Sequence, residues 1–86
     1  MNKMYILTQS DSEEGVLDVR VFVNYDDACK ALRQDYEAVL KDDISAVEYS
    51  EIDDKGCRAM ITFFHNYETM YFDIFEANLE LNVKGA

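Results

Sequence analysis

Only one stretch of this sequence repeats its apolar residues with a helical period, and that limits the fold more than any other feature. From Tyr25 through Ala28, Cys29, Leu32, Tyr36, Val39 and Leu40 the apolar positions recur at steps of three and four, the mark of an amphipathic helix. Asn24 stands where an N-cap belongs, and Asp26 and Asp27 fall in the first turn, where the helix dipole favours acids. Asp26 and Lys30, and Glu37 and Lys41, are acid-before-base pairs four apart on the polar face. Asp42 and Asp43 would oppose the negative end of the dipole, so the helix is expected to stop near Lys41.

The other segments read as strands. Met4 to Thr8 is a short apolar run, and the polar stretch Ser10 to Gly15 turns the chain. Leu17 to Val23 alternates, with Leu17, Val19, Val21 and Val23 on one side and Asp18, Arg20 and Phe22 on the other. These two strands are expected to form a hairpin. Ala46 to Ile52 is a third strand. Asp53-Asp54-Lys55-Gly56 is a hairpin turn with glycine at the left-handed position, and Arg58 to His65 is the fourth and most apolar strand. Asn66 to Glu68 turns again. Thr69 to Leu81 is a fifth strand whose apolar parity switches from Met70, Phe72 and Ile74 to Ala77, Leu79 and Leu81, which predicts a bulge near Phe75-Glu76. Asn82 to Ala86 reads as a frayed tail.

The order β-β-α-β-β-β predicts a single α+β domain over residues 1–86, in two layers. One helix lies on one face of a mostly antiparallel five-stranded sheet. A chain of 86 residues should keep a surface of roughly 5,200 Å² and bury about 64% of what it exposes unfolded, a thin core that self-association could supplement. One helix can shield only one face. The other is expected to carry several of Phe22, Phe64, Tyr71 and Phe75, and a cluster of them there would mark a contact surface.

Charge narrows the partners. Eighteen Asp and Glu against eight Lys and Arg give a net charge of −10, while 49% of the residues are hydrophobic, so the chain is a folded domain with an acidic skin rather than an acidic tail. The balance argues against direct nucleic-acid binding and against an anionic membrane surface. It favours solubility, basic protein partners or cations, while the thin core and uncovered face leave a second copy, in a homodimer, as the other expected partner. No apolar run approaches a membrane span, and the four consecutive apolar residues Met4 to Leu7 are too few for a signal-peptide core, so a cytoplasmic location is expected. Cys29 and Cys57 have neither C-x-x-C nor metal-ligand spacing and read as two reduced thiols, the spacing leaving a disulfide between them open.

Motifs for chemistry are few. The single histidine, His65, should lie about 26 Å from Cys57 along the fourth strand, too far for a Cys-His pair, and nothing in the sequence places it beside Cys29. Two oxygen-rich loops, Asp11/Glu13/Glu14 and Glu51/Asp53/Asp54, do not follow the EF-hand pattern. There is no nucleotide-binding fingerprint and no soft cluster for zinc. The expectation is a non-enzymatic protein–protein interaction or regulatory module with no catalytic residues, cofactor or metal. Its candidate surface comprises Phe22, Phe64, Tyr71 and Phe75 with Glu48, Glu51, Asp53, Asp54, Asp73, Glu76 and Glu80.

The alternative is an acidic inhibitor that imitates nucleic acid in the groove of a basic nucleic-acid-binding protein. Duplex DNA carries a charge every ~1.7 Å of axis, roughly one per 100 Å² of its surface. Eighteen acids over about 5,200 Å² give roughly one per 290 Å², so mimicry needs the acids gathered on one side. An enzyme or small-ligand binder built at a dimer interface is a third reading.

The segments MYILTQSDSEEG, VFVNYDDACKALRQDYEAVL and YFDIFEANLEL resemble those of small uncharacterised acidic proteins encoded in gut Firmicutes genomes and bacterial mobile elements. The likeness lies in the strand pair, the Y-x-x-A helix, the hairpin and the acidic last strand, and it transfers no functional residue. In size and charge alone the chain is also similar to anti-CRISPR and anti-restriction inhibitors.

Overall fold

The structure is a computed structural model, and it describes residues 2–64 and 68–79. Two strands, β1 (Asn2–Asp11) and β2 (Gly15–Phe22), are followed by the helix α1 (Tyr25–Asp42) and a 3-10 turn at Ile44–Ala46. Then come β3 (Val47–Ile52), β4 (Arg58–Phe63) and β5 (Thr69–Leu79). The five strands form one sheet in the order β2-β1-β5-β4-β3, antiparallel at every pairing. The two-layer α+β architecture read from the sequence is therefore the fold. The last strand returns to the middle, between β1 and β4, and makes the most extensive ladder, from Asn2↔Leu79 to Asp11↔Met70. Met1, His65, Asn66, Tyr67, Glu80, Leu81 and the segment 82–86 lie outside the described residues, and with them the distance expected between His65 and Cys57, part of the last turn, the end of the fifth strand and the frayed tail.

The helix starts where its capping chemistry puts it. The Asn24 Oδ1 accepts the N–H groups of Asp26 at 2.8 Å and Asp27 at 3.2 Å, satisfying two donors that have no intrahelical partner. It ends one residue later than the dipole argument predicts, at Asp42, and the Asp43 N–H closes the last turn on Val39. The expected pairs Asp26–Lys30 and Glu37–Lys41 do not close. Asp35 instead pairs with Arg20 of β2, which ties the helix to an edge strand.

The core lies between α1 and the sheet. Ala28, Ala31, Leu32 and Tyr36 face Leu7, Ala59, Ile61, Phe63 and Phe72. Phe72 is fully buried at the centre, and the Tyr36 ring meets it edge-on at 6.2 Å. Alternation along each strand then assigns the sheet's two faces. Tyr5, Leu7 and Gln9 of β1 share the helical side with their partners Glu76, Ile74 and Phe72. Met4, Ile6 and Thr8 point the other way with Ala77, Phe75 and Asp73.

Two expectations are corrected. β5 keeps a continuous register against β1 through Phe75 and Glu76, with no bulge there. The irregularities sit instead between Gln9 and Ser10 against β2, and between Val47 and Tyr49 against β4. Ala77 simply belongs to the opposite face from Phe72, because β5 is central and carries apolar groups on both sides. Phe22 is the second correction. It pairs with Tyr5 and packs against the core from the helical side, with the Arg20 guanidinium 5.7 Å from its ring centre. The apolar set of β2 is thus turned away from the helix.

Candidate interaction surface

On the face away from α1, the ladders set Val21, Ile6 and Phe75 side by side across three strands, with Val19 beside Thr8 and with Met4 opposite Ala77. A second group follows across β5 and β4, where Tyr71 pairs with Met60 and Met60 with Glu51. Tyr49 stands next along β3, opposite Thr62. Directly paired residues share a face and approach within side-chain contact. No element among the described residues covers these groups: Val19, Val21 and Phe75 are each more than half exposed, and Tyr71 is 40% exposed.

Among the described residues the charged groups of this face are few. Arg58 donates from Nε to the Asp73 Oδ1 at 3.1 Å, and Glu51 stands beside Met60. A groove of about 450 Å³ opens here, lined by Glu51, Asp53, Arg58, Ala59, Met60, Tyr71 and Asp73. Tyr71, Phe75, Glu51 and Asp73 of the expected surface are therefore brought together. Phe22 is not, and Glu76 faces the helical side, bridging to Lys3 at 3.2 Å. Phe64 lies just beyond β4, exposed, with its N–H bound to the Ala46 carbonyl. Glu48 is exposed at the irregular start of β3. Glu80 is outside the described residues. The sequence reading did not include Val19, Val21, Ile6 and Met60, because alternation alone does not say which side of each strand meets the helix.

Among the described residues the two acidic turns do not meet. β1 and β4 both run antiparallel to β5, so the turn after β1 and the turn before β4 point to opposite ends of the sheet. Glu13 and Glu14 are at one end, and Asp53 and Asp54 face the other. Asp26, Asp27, Asp35, Glu37, Asp42 and Asp43 belong to α1 and its C-cap. Two acids of the oxygen-rich loops already serve the backbone. The buried Asp11 accepts the N–H groups of Glu13 and Glu14, and Asp53 accepts the Cys57 N–H at 2.7 Å. Among the described residues no group of three or more His, Cys, Asp or Glu is placed to hold a metal ion.

A second cluster lies on the helical side. The Cys29 and Cys57 sulfurs are 2.8 Å apart, and the Tyr25 hydroxyl is 2.6 Å from the Cys57 sulfur. Tyr25 also stacks edge-on against Tyr5, at 5.3 Å between ring centres. Burial, and then the hydrogen bond with Cys57, push the Cys29 thiol up to about 11. The Tyr25 hydroxyl is also raised, first by its hydrogen bond to Cys57. Strand direction was the missing signal: the end of β2, which feeds the helix, and the start of β4, which carries Cys57, lie at the same end only once β5 is inserted between β1 and β4.

Fold and surface together define a two-layer α+β domain whose antiparallel sheet is open on one side. No protein-family model matches the chain, and no curated protein or solved structure matches it either. No helix among the described residues is long and apolar enough to cross a membrane.

Proposed function

We propose that this chain is a non-enzymatic protein–protein interaction module that docks through its open sheet face, and that the occupant of that face is a second copy stacked face to face. The row Val21–Ile6–Phe75 carries this reading. Three apolar side chains in contact across three strands, with nothing over them, form the kind of contiguous patch that marks an interaction site.

Charge placement favours a second copy over a basic partner. Among the described residues the face and its groove hold one base against three acids, Arg58 against Glu51, Asp53 and Asp73, a small part of the net charge. Most of the net −10 sits elsewhere, −2 of it on the helix, with five acids against three bases, and −3 on Asp11, Glu13 and Glu14 at one end of the sheet. Stacked sheets lie ~10 Å apart and a helix layer is ~10–12 Å thick, which places the two helices about 30 Å from one another, well beyond the ~8 Å screening length at physiological salt. Two copies can therefore meet without bringing their helix acids together. Dispersal of the carboxylates among the described residues favours this reading over imitation of a phosphate row.

Size sets the strength. Five strands ~4.8 Å apart, over a ladder of about 20 Å, present roughly 500 Å² in projection. A standard interface takes about 800 Å² from each partner, so the expected product is a reversible, concentration-dependent dimer. The test is light scattering at matched concentrations on the native chain and on Phe75→Glu. A dimer that the substitution reduces to monomer supports the reading; equal masses for the two overturn it.

A further inference from the structure

The meeting of α1 with the β3–β4 turn is held by specific contacts. Asp53 accepts the Cys57 N–H through its side chain and the Gly56 N–H through its carbonyl. Gly56 takes a φ of +71°, and the Arg33 guanidinium lies so close over it that a Cβ there would come within 2.9 Å of Nη2. The turn thus presents Cys57 to Cys29, at a sulfur separation of 2.8 Å across 28 positions of sequence. Beside the pair a groove of about 490 Å³ opens to solvent, lined by Tyr25, Asp26, Cys29, Lys30, Arg33 and Lys55. In a chain of net charge −10, three of its eight bases face this groove against one acid. Its volume lies within the ~300–1,000 Å³ of small-molecule sites.

We propose that Cys29 and Cys57 are a thiol–disulfide exchange site that takes small anionic disulfides of the oxidised-glutathione class. The thiolate of one cysteine attacks a sulfur of the oxidant, breaking its S–S bond and expelling one glutathione thiolate, which takes up a proton. The other cysteine, as thiolate, attacks the protein sulfur of the mixed disulfide and expels the second glutathione, again protonated on release. The protein loses two electrons and two thiol hydrogens. One oxidised glutathione gains them and leaves as two reduced molecules. The second step is the one the geometry favours, because sulfurs already in contact react as an intramolecular pair, which offsets the small thiolate fraction that the raised Cys29 thiol leaves at neutral pH. Lys30, Arg33 and Lys55 supply the positive field that attracts carboxylates of the oxidant to an otherwise acidic molecule.

The experiment is incubation of the intact chain with oxidised glutathione, followed by alkylation and intact-mass measurement. The native chain is expected to become two hydrogens lighter and refractory to alkylation, while Cys29→Ser and Cys57→Ser each stop at a single glutathione adduct. Native protein that accumulates stable glutathione adducts without an internal bond, or that remains fully alkylatable, would overturn the site. A Lys30→Gln/Lys55→Gln variant separates the ligand class. It is expected to react with oxidised glutathione roughly three- to tenfold more slowly and with uncharged hydroxyethyl disulfide at the native rate. Equal effects on both oxidants would overturn the anionic preference.

Discussion

Ile6 and Phe75 are direct partners across the β1–β5 ladder, and both project from the face that α1 does not cover. Leu7 and Ile74, one position along each strand, pair on the helical side, where Leu7 is almost wholly buried. Adjacent residues of the same two strands thus serve different purposes, one pair holding the fold and the other free for contact.

That separation predicts opposite phenotypes. Phe75→Glu should lower the thermal midpoint of the monomer by only a few degrees, because more than half of the Phe75 surface is already in solvent and the substitution opens no cavity in the core. It should weaken self-association severely. Burying a Phe is worth about 2 kcal/mol per copy, so a two-fold dimer that loses both should bind roughly a thousandfold less tightly. Concentration-dependent light scattering read beside a thermal melt checks both halves.

Phe72→Ala should do the reverse. Its ring is fully buried against Tyr36, and replacing it with a methyl group should cost about 3–5 kcal/mol, measured by urea denaturation.

Glycine is required at two turns for different reasons. Gly15 and Gly56 both have positive φ, +84° and +71°, so alanine at either should cost about 1 kcal/mol of backbone strain. At Gly15 nothing lies within 4 Å of the new methyl group, whereas at Gly56 the Arg33 guanidinium must move. Gly56→Ala is therefore expected to be the more destabilising in denaturant titration, and also to slow Cys57 oxidation.

The dithiol form should lose stability in alkali. Burial raises the Cys29 thiol from 9.0 to about 11, so the fold favours the protonated thiol. That contribution is complete below the unfolded pKa and fades as pH climbs from about 9 to about 11, because the unfolded chain gives up its proton first. Tyr25 shifts in the same direction. The charged groups around the pair are Asp26, Lys30 and Arg33 from the helix and Asp53 and Lys55 from the turn, with Tyr5 packed behind Tyr25. Denaturation of reduced protein across this range should show the decline, and Cys29→Ser should flatten it.

Oxidation should stabilise the chain. A bond between positions 28 residues apart restricts the unfolded state by about 3–4 kcal/mol, enough to raise the midpoint by on the order of 10 °C. It should leave association unchanged, since the cysteines lie on the helical side and the docking row on the other.

The helix was legible to within a residue, because Asn24 and the period of its apolar residues are local signals. The five strands were legible for the same reason, as was the turn glycine at Gly56. What stayed hidden depended on strand order. An alternating strand such as Leu17 to Val23 has two faces but no mark of which one meets the helix. Apolar residues on both sides of β5 look like a register switch until the strand is known to be central. The Cys29–Cys57 contact joins two segments whose proximity follows only from β5 entering between β1 and β4.

The most direct test of the account is sedimentation equilibrium on the unmodified, reduced chain, from low to high micromolar concentration, in physiological buffer and in ~1 M salt, where screening shortens to ~3 Å. The account predicts a mass rising toward twice 10.0 kDa with concentration, and association at least as strong in high salt. A mass that stays at 10.0 kDa at every concentration in both buffers would contradict it.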